Sequence, residues 1–156
     1  MASYKELVMA YLDGQGVKYC KARDTQGRDN VICIDYTGDN LKTIPVYVFF
    51  DPDGEPMVKL KCWDIASFKG EKRASGINAC NELNSEYRWT RFYIDKDCDV
   101  IAQVDAYVDT DSCGSTCKFL ADLMTNIIDK GYPIFMKALY NQDEVRRGSR
   151  FASDSL

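Results

Sequence analysis

The strongest constraint on the fold is a pair of segments in which apolar residues recur at every second position. The first is Ile44–Phe50 and the second spans residues 57–65, and the intervening residues 51–54 read Asp-Pro-Asp-Gly, a turn composition. A period of two is that of a β-strand, and a short connection joins antiparallel strands. The two segments therefore predict a β-hairpin.

The two faces of this hairpin differ in character because successive side chains of a strand point to opposite sides. One face is aliphatic and consists of Ile44, Val46, Val48, Phe50, Val58, Leu60 and Cys62. The other combines aromatic rings with lysines and consists of Tyr47, Phe49, Lys59, Lys61 and Trp63. We expect helices on the aliphatic face, while the aromatic and lysine face suits a half-exposed surface.

The remaining chain supplies helices and further strands. Helical spacing predicts helices over residues 3–12, 71–88 and from 109 onward, and alternation predicts strands over residues 17–21, 31–36, 89–95 and 100–108. The sequence Gly131-Tyr132-Pro133 predicts a break or kink in the last helix, with a further short helix over residues 134–140. The order α-β-β-β-β-α-β-β-α predicts an α+β fold, one antiparallel sheet with its helices on one face.

The length of 156 residues fits one domain, which we expect over residues 1–141, followed by a polar tail at 142–156. The first residues carry charges where a signal peptide needs an apolar run, and the longest strongly apolar stretch, Ile44–Phe50, is too short to span a bilayer. We therefore expect a cytoplasmic protein without a membrane partner.

Charge and composition exclude several classes of function. The net charge of −4 argues against a general nucleic-acid binder. The chain has no histidine, which removes Ser-His-Asp and Cys-His catalysis and histidine-ligated zinc. No glycine-rich nucleotide motif is present. We therefore expect no cofactor, no metal and no catalytic residue.

Three clusters admit a chemical interpretation beside a structural one. Asp95, Asp97 and Asp99 begin like a calcium loop, but the positions for its required glycine and glutamate hold Val100 and Ala106, so a hairpin turn is favoured. The acidic residues of the 51–55 turn resemble a hydrolytic acid pair, although turn chemistry alone accounts for them.

The third cluster belongs to the seven cysteines, which form no CxxC pair and fall mostly in apolar patterns, as expected of reduced structural thiols. Cys113 and Cys117 stand four residues apart at a predicted helix start, where amide dipoles lower a thiol pKa. A redox or metal role for this pair stays open beside an ordinary helix entry.

The residues from 79 to 140 resemble the YbjN domain family of proposed bacterial sensory transduction regulators. The resemblance rests on residues 81–89, an Asn-x-x-Asn helix end that runs into an aromatic strand start, on residues 91–95 and 100–108 as a hairpin, and on Tyr132-Pro133. It implies a fold similar to the type III secretion chaperones, which are small α+β domains that dimerise and bind polypeptide. It brings no catalytic residues, and we interpret the matched Asn81 and Asn84 as structural.

These observations lead to the hypothesis of a non-enzymatic protein-interaction module, a regulator or chaperone-like adaptor that forms a homodimer or binds a polypeptide partner. The binding residues would be Tyr47, Phe49, Lys59, Lys61 and Trp63, since aromatic residues are enriched in interface cores. The alternatives are that these side chains serve ordinary internal packing, that the protein binds a small molecule or is an enzyme with a carboxylate or thiol site, or that it blocks a single partner.

Overall fold

The computed structural model describes residues 1–140, and its elements follow the predicted order. The helices are α1 (Tyr4–Gly14), α2 (Arg73–Glu86) and α3 (Cys113–Tyr140), with a 3₁₀ turn at Gly70–Lys72. The strands are β1 (Cys20–Ala22), β2 (Val31–Tyr36), β3 (Ile44–Phe50), β4 (Met57–Cys62), β5 (Arg91–Ile94) and β6 (Val100–Tyr107). The expected α+β fold is confirmed. The predicted tail at 142–156 and the last residue of the predicted domain, 141, lie outside the described residues.

The six strands form one antiparallel sheet in the order β1-β2-β3-β4-β6-β5. The predicted hairpin occupies its centre, with Tyr47 opposite Lys61 and Phe49 opposite Lys59. On either side of this hairpin, β2 pairs with β3 and β6 pairs with β4.

The aliphatic face of the sheet packs against the helices and forms the core. All seven of its predicted members belong to one buried cluster, together with the apolar stripe of α3, which comprises Leu120, Ala121, Met124, Ile127 and Ile128. Burying each of these larger aliphatic side chains contributes about 1.5–3 kcal/mol. Tyr47, Phe49 and Trp63 lie outside this cluster, and so do the buried Val31 and Ile101. The predicted difference between the two faces is therefore confirmed.

Two glycines let the helices approach their neighbours. A Cβ atom on Gly76 of α2 would lie 2.5 Å from the ring of Phe68, and a Cβ atom on Gly114 of α3 would collide with Tyr11 of α1. Gly76 lowers the helix propensity of α2, but the close packing against Phe68 requires a residue without a side chain at this position.

Three of the predicted strands differ from the observed ones by two residues or more at one end. The first strand lies at Cys20–Ala22 rather than 17–21. The fourth ends at Cys62 and the fifth begins at Arg91, because Asp64 and Trp89 adopt φ values of 67° and 73°. That left-handed conformation cannot continue a strand.

The expected interruption of the last helix is also wrong, because α3 continues through Pro133 to Tyr140. Proline has no N–H to donate to the carbonyl four residues earlier, which is that of Asp129. The side-chain amide of Asn40 donates to this carbonyl instead, at 3.1 Å. The loop between β2 and β3 thus supplies the hydrogen bond that Pro133 cannot make.

The carboxylate of Asp129 strengthens the same contact. Its two oxygens accept from the backbone N–H groups of Asp39, Asn40 and Leu41 at 2.8–3.1 Å. These hydrogen bonds favour the ionised form and lower the pKa of Asp129. A group whose pKa is lowered by folding stabilises the fold above its unfolded pKa, and this contribution is lost as the pH falls through the folded value.

We therefore expect Asp129→Asn to lower the melting temperature by a few degrees at pH 7, with a smaller difference from wild type at about pH 3, which lies below the unfolded pKa of an aspartate, so that part of the contribution of the charge is lost. Thermal unfolding followed by circular dichroism at both pH values measures this. Asn126→Ala, an exposed change on the same helix, serves as the control. A difference that is equal at both pH values would contradict the role of the charge.

The edge of the sheet at β5 is closed by a side chain. Asn84 of α2 donates to the carbonyl of Phe92 at 2.9 Å and accepts from its N–H at 2.7 Å. The side-chain amide takes the place of a neighbouring strand, and edge strands protected in this way resist pairing with other chains. The structural interpretation of Asn84 is correct.

Replacing Asn84 with alanine removes both hydrogen bonds and should destabilise the fold by about 1–2 kcal/mol. Asn81→Ala is the matched control, because Asn81 is exposed one turn earlier on the same helix, and it should stay within about 0.5 kcal/mol of wild type. Urea unfolding measures both values, and equal stability of the two variants would refute the assignment.

Candidate functional site

The aromatic side of the sheet is the candidate site, and we call the five residues Tyr47, Phe49, Lys59, Lys61 and Trp63 the outer face. Tyr47, Phe49, Lys61 and Trp63 are half-buried and Lys59 is exposed. The apolar stripes of the helices lie in the core cluster on the opposite side of the sheet. The structure therefore brings all five predicted residues together on the side of the sheet away from the helical core.

The aromatic rings of the outer face are packed on one another. The rings of Tyr47 and Trp63 are stacked with centroids 4.3 Å apart and an angle of 11° between their planes. Phe49 lies 6.3 Å from Trp63 at a tilt of 45°. Aromatic pairs of this geometry contribute about 0.5–1.5 kcal/mol beyond the burial of their area. The outer face is thus an ordered apolar surface before any partner binds.

The lysines of the outer face are available for a partner, because neither Lys59 nor Lys61 forms an ion pair with a residue within 1–140. Asp105 is the register partner of Lys59 on β6. Its carboxylate forms an ion pair with Arg91 instead, at 3.0 Å.

Beside the lysines, the outer side of β5 and β6 carries an ordered polar network. The hydroxyl of Tyr93 donates to Gln103 at 2.7 Å, and the amide of Gln103 donates in turn to Asp105 at 3.1 Å. The guanidinium of Arg91 lies 5.9 Å from the ring centre of Tyr93. These contacts fix the side chains that border the outer face.

A groove of about 1200 Å³ runs over the outer face. Phe49, Lys59, Lys61 and Trp63 line it, while Tyr47 supports Trp63 from beside the groove. The turn before β4 and the loop between β1 and β2 contribute its other walls, and the groove reaches Trp89. Its carboxylates are largely engaged, since Asp24 binds Arg28, and Asp51 and Asp95 accept from backbone N–H groups.

Sequence reasoning missed a second aromatic group at the end of this groove. Trp89, Tyr107 and Phe119 are 63–81% exposed. The alternation predicts a strand that begins at Trp89, and the left-handed backbone that this residue adopts leaves no local signal in the sequence. The exposure of Phe119 could have been found, because Phe119 falls beside the apolar stripe of α3 that begins at Leu120.

This aromatic group adjoins an open strand edge. β5 pairs with residues 100–103 of β6, so residues 104–107 of β6 have β4 on one side and, within residues 1–140, no strand on the other. The backbone N–H and C=O groups of Asp105 and Tyr107 face that open side, since Val108 donates toward β4.

The carboxylates of the other candidate clusters accept hydrogen bonds within turns. The Asp95 carboxylate accepts from the N–H groups of Asp97 and Asp99 in the hairpin turn, and Asp51 does the same at 53 and 55. In the turn before α3, the Asp109 carboxylate accepts from the hydroxyl of Ser112 at 2.8 Å and from its N–H at 2.7 Å, and these hydrogen bonds lower the pKa of Asp109.

The expectation of a low thiol pKa at the start of α3 is wrong. Cys113 and Cys117 are both buried, and burial raises the pKa of Cys113 and raises that of Cys117 to about 12. Desolvation of the thiolate outweighs the amide dipoles at this helix start.

Within residues 1–140 the structure has neither a side-chain cluster that could hold a metal ion nor a membrane-spanning helix. No group of three or more acidic, cysteine or histidine side chains in this part of the chain could hold a metal ion. None of the helices in the same range combines the length and apolarity needed to cross a bilayer.

Comparison with known proteins identifies a similar fold. No protein-family model and no curated protein matches the chain. Among solved structures, the crystal structure of YbjN from E. coli, a proposed transcription regulator, matches with a TM-score of 0.55 and 7% sequence identity, covering 79% of this chain and 87% of YbjN. At this identity the similarity concerns the fold, and the YbjN-like fold expected from the sequence is confirmed.

The two tryptophans provide a test of the site geometry, because Trp63 is stacked and half-buried while Trp89 is 70% exposed. We expect the Trp89→Phe variant, which retains Trp63, to emit at shorter wavelength than Trp63→Phe and to be quenched several-fold less by acrylamide. Steady-state fluorescence measures both quantities. Equal quenching of the two variants would contradict the stacked arrangement.

Proposed function

We propose that this protein is a non-enzymatic interaction module of the bacterial cytoplasm that binds a polypeptide partner, or a second copy of itself, through the outer face. The observation that carries the proposal is the stacked pair of Tyr47 and Trp63, joined by Phe49, on a sheet face that lies opposite the helical core. Residues of this kind dominate the energetics of protein interfaces.

The ordered stack favours binding because the side chains lose little freedom when a partner covers them. Immobilising a flexible side chain at an interface costs about 0.5–1.5 kcal/mol, whereas the rings of Tyr47 and Trp63 already hold each other in place. Lys59 and Lys61, which have no ionic partner within residues 1–140, would add electrostatic complementarity to carboxylates of the partner.

The shape of the groove favours a polypeptide over a small molecule. Sites for small ligands are clefts of roughly 300–1,000 Å³ that enclose most of the ligand, and this groove is larger and extends from the outer face to Trp89. A partner segment that lies along it could also pair with the open edge of β6 at residues 104–107, as extended peptides do at exposed sheet edges.

The similarity of fold to YbjN, itself a proposed transcription regulator, supports a regulator or adaptor role. The net charge of −4 favours an action through protein contacts rather than through direct contact with nucleic acid. The state of the acidic and thiol groups supports a non-enzymatic role, because the acids of the turns accept from backbone N–H groups and the Cys113 and Cys117 thiols are buried.

The test is affinity capture from the host, with quantitative mass spectrometry, of wild type, the double variant Phe49→Ala with Trp63→Ala, and the control Ile77→Ala. Ile77 is an exposed apolar residue of α2, so its loss removes apolar surface elsewhere. We expect a partner that wild type and Ile77→Ala retain and the double variant loses, with Kd for the purified partner raised by roughly 30-fold or more.

Circular dichroism and sedimentation accompany the capture, the first to establish that the double variant is folded and the second to detect self-association. A wild-type dimer that the double variant cannot form would identify a second copy as the occupant. Identical capture and identical mass for all three proteins would overturn the proposal.

A further inference from the structure

Two cysteines stand directly opposite each other on the side of the sheet that carries the outer face. Cys20 of β1 and Cys33 of β2 are register partners. The neighbours of Cys33 in β2, Ile32 and Ile34, belong to the core cluster, so Cys33 points to the other side. Residues paired across antiparallel strands project to the same face, and the two thiols are therefore neighbours.

The strand pairing brings the two Cα atoms within the range that a disulfide spans. The N–H of Phe50 donates to the carbonyl of Asn30, so alternate residues of β2 bond toward β3 and Cys33 bonds toward β1. The Cα atoms of such a hydrogen-bonded pair are about 5.5 Å apart, within the range of about 4.4–6.8 Å that disulfides span.

The position of β1 permits the small movement that brings the sulfur atoms together. β1 has three residues and ends the sheet, and within residues 1–140 no strand holds its other side. A bond made at such a pair retains some strain, and strained or exposed disulfides are the more easily reduced ones.

The two cysteines differ in accessibility. Cys20 is exposed, whereas the other six are buried or half-buried. The Cys33 thiol is covered, and burial, followed by the charge of Asp35, raises its pKa to about 11. Cys20 is therefore the group that meets a reagent in solution, and Cys33 is placed to react only with Cys20.

We propose that Cys20 and Cys33 form a reversible cross-strand disulfide when the protein meets a low-molecular-weight disulfide such as oxidised glutathione. The Cys20 thiolate attacks one sulfur of the reagent, the sulfur–sulfur bond breaks, and one glutathione thiolate leaves. The Cys33 thiolate then attacks Sγ of Cys20, which expels the second glutathione thiolate. The protein loses two electrons and two protons, and one glutathione disulfide becomes two glutathione thiols.

The bond would act on the outer face through Tyr47. Tyr47 is the register partner of Cys33 on the neighbouring strand β3, so the two side chains lie side by side on the same face of the sheet, and the ring of Tyr47 stacks on Trp63. Disulfide formation pulls the Cys33 sulfur toward β1 and so alters the support of the stack. Control of partner binding by this bond rests on the proposed function, whereas the bond itself does not.

The test treats the reduced full-length protein with oxidised glutathione and then digests it with trypsin. Cleavage after Lys18, Lys21, Arg28 and Lys42 gives peptides 19–21 and 29–42, each with a single cysteine. We expect these two peptides to be linked, and to exceed every other cysteine pair by roughly tenfold, because the other thiols are less accessible.

Three variants sharpen the result. Cys98→Ser, the matched control at a half-buried cysteine, should link like wild type, and Cys20→Ser should give no link. Cys33→Ser should stop at a Cys20–glutathione mixed disulfide. A wild-type protein that ends as this mixed disulfide, or that stays unmodified, would overturn the proposal.

The coupling to the outer face has a separate measurement. In the Trp89→Phe background, emission of Trp63 should change on oxidation and return on reduction with dithiothreitol, and Cys20→Ser should abolish the change. A linked protein with unchanged Trp63 emission would overturn the coupling. If the double variant at Phe49 and Trp63 captured the partner as well as wild type, the proposed function would be refuted. The evidence for the disulfide from the linked peptides would be unaffected.

Discussion

Burial of the aliphatic face of the sheet against α3 is the interaction on which the rest of the structure depends. Ile44, Val46 and Val48 of β3 and Leu60 of β4 are completely removed from solvent in the same cluster as Met124 and Ile128 of α3. Because the apolar residues of a strand alternate in direction, covering this face commits every residue between them to the opposite one. The position of Tyr47, Phe49 and Trp63 is thus a consequence of how the core is made.

The outer face obtains its properties from this arrangement and from its own side chains. Its aromatic rings cover one another in place of a helix, and its two lysines remain without ionic partners within residues 1–140. The carboxylates around the groove accept hydrogen bonds from backbone N–H groups of turns or form ion pairs with arginines. A surface with ordered apolar groups and free cations is suited to contact with another macromolecule, which is the role we propose for it.

Regular patterns made much of this fold predictable from sequence. The alternation in β3 and β4 identified both faces of the sheet, and helical spacing identified α1, which begins one residue after the predicted start and is capped by Ser3. The failures share a physical cause, because they depend on contacts between residues distant in sequence. Pro133 reads as a helix breaker until Asn40, more than ninety residues earlier, supplies the missing donor. Likewise, nothing near Trp89 indicates that its backbone is left-handed.

The candidate site was predictable to the extent that it follows from strand alternation. All five residues of the outer face could be assigned, since each lies in or next to a strand of period two. The aromatic group at Trp89, Tyr107 and Phe119 could not be assembled in the same way, because its members come from three different elements. That Cys20 and Cys33 lie opposite each other could not be predicted either. It depends on the register between β1 and β2, and β1 begins at Cys20 rather than at the predicted residue 17.

The contact between Asn40 and the carbonyl opposite Pro133 makes two distant positions depend on each other's identity. An amino acid with an N–H at 133 would restore the helical hydrogen bond and remove the need for the amide at 40, while proline at 133 makes that amide necessary. The two sites therefore form an epistatic pair, in which the effect of a change at one is set by the residue at the other. A lineage that carries this helix could therefore lose the amide at position 40 without this cost only after proline at 133 has been replaced.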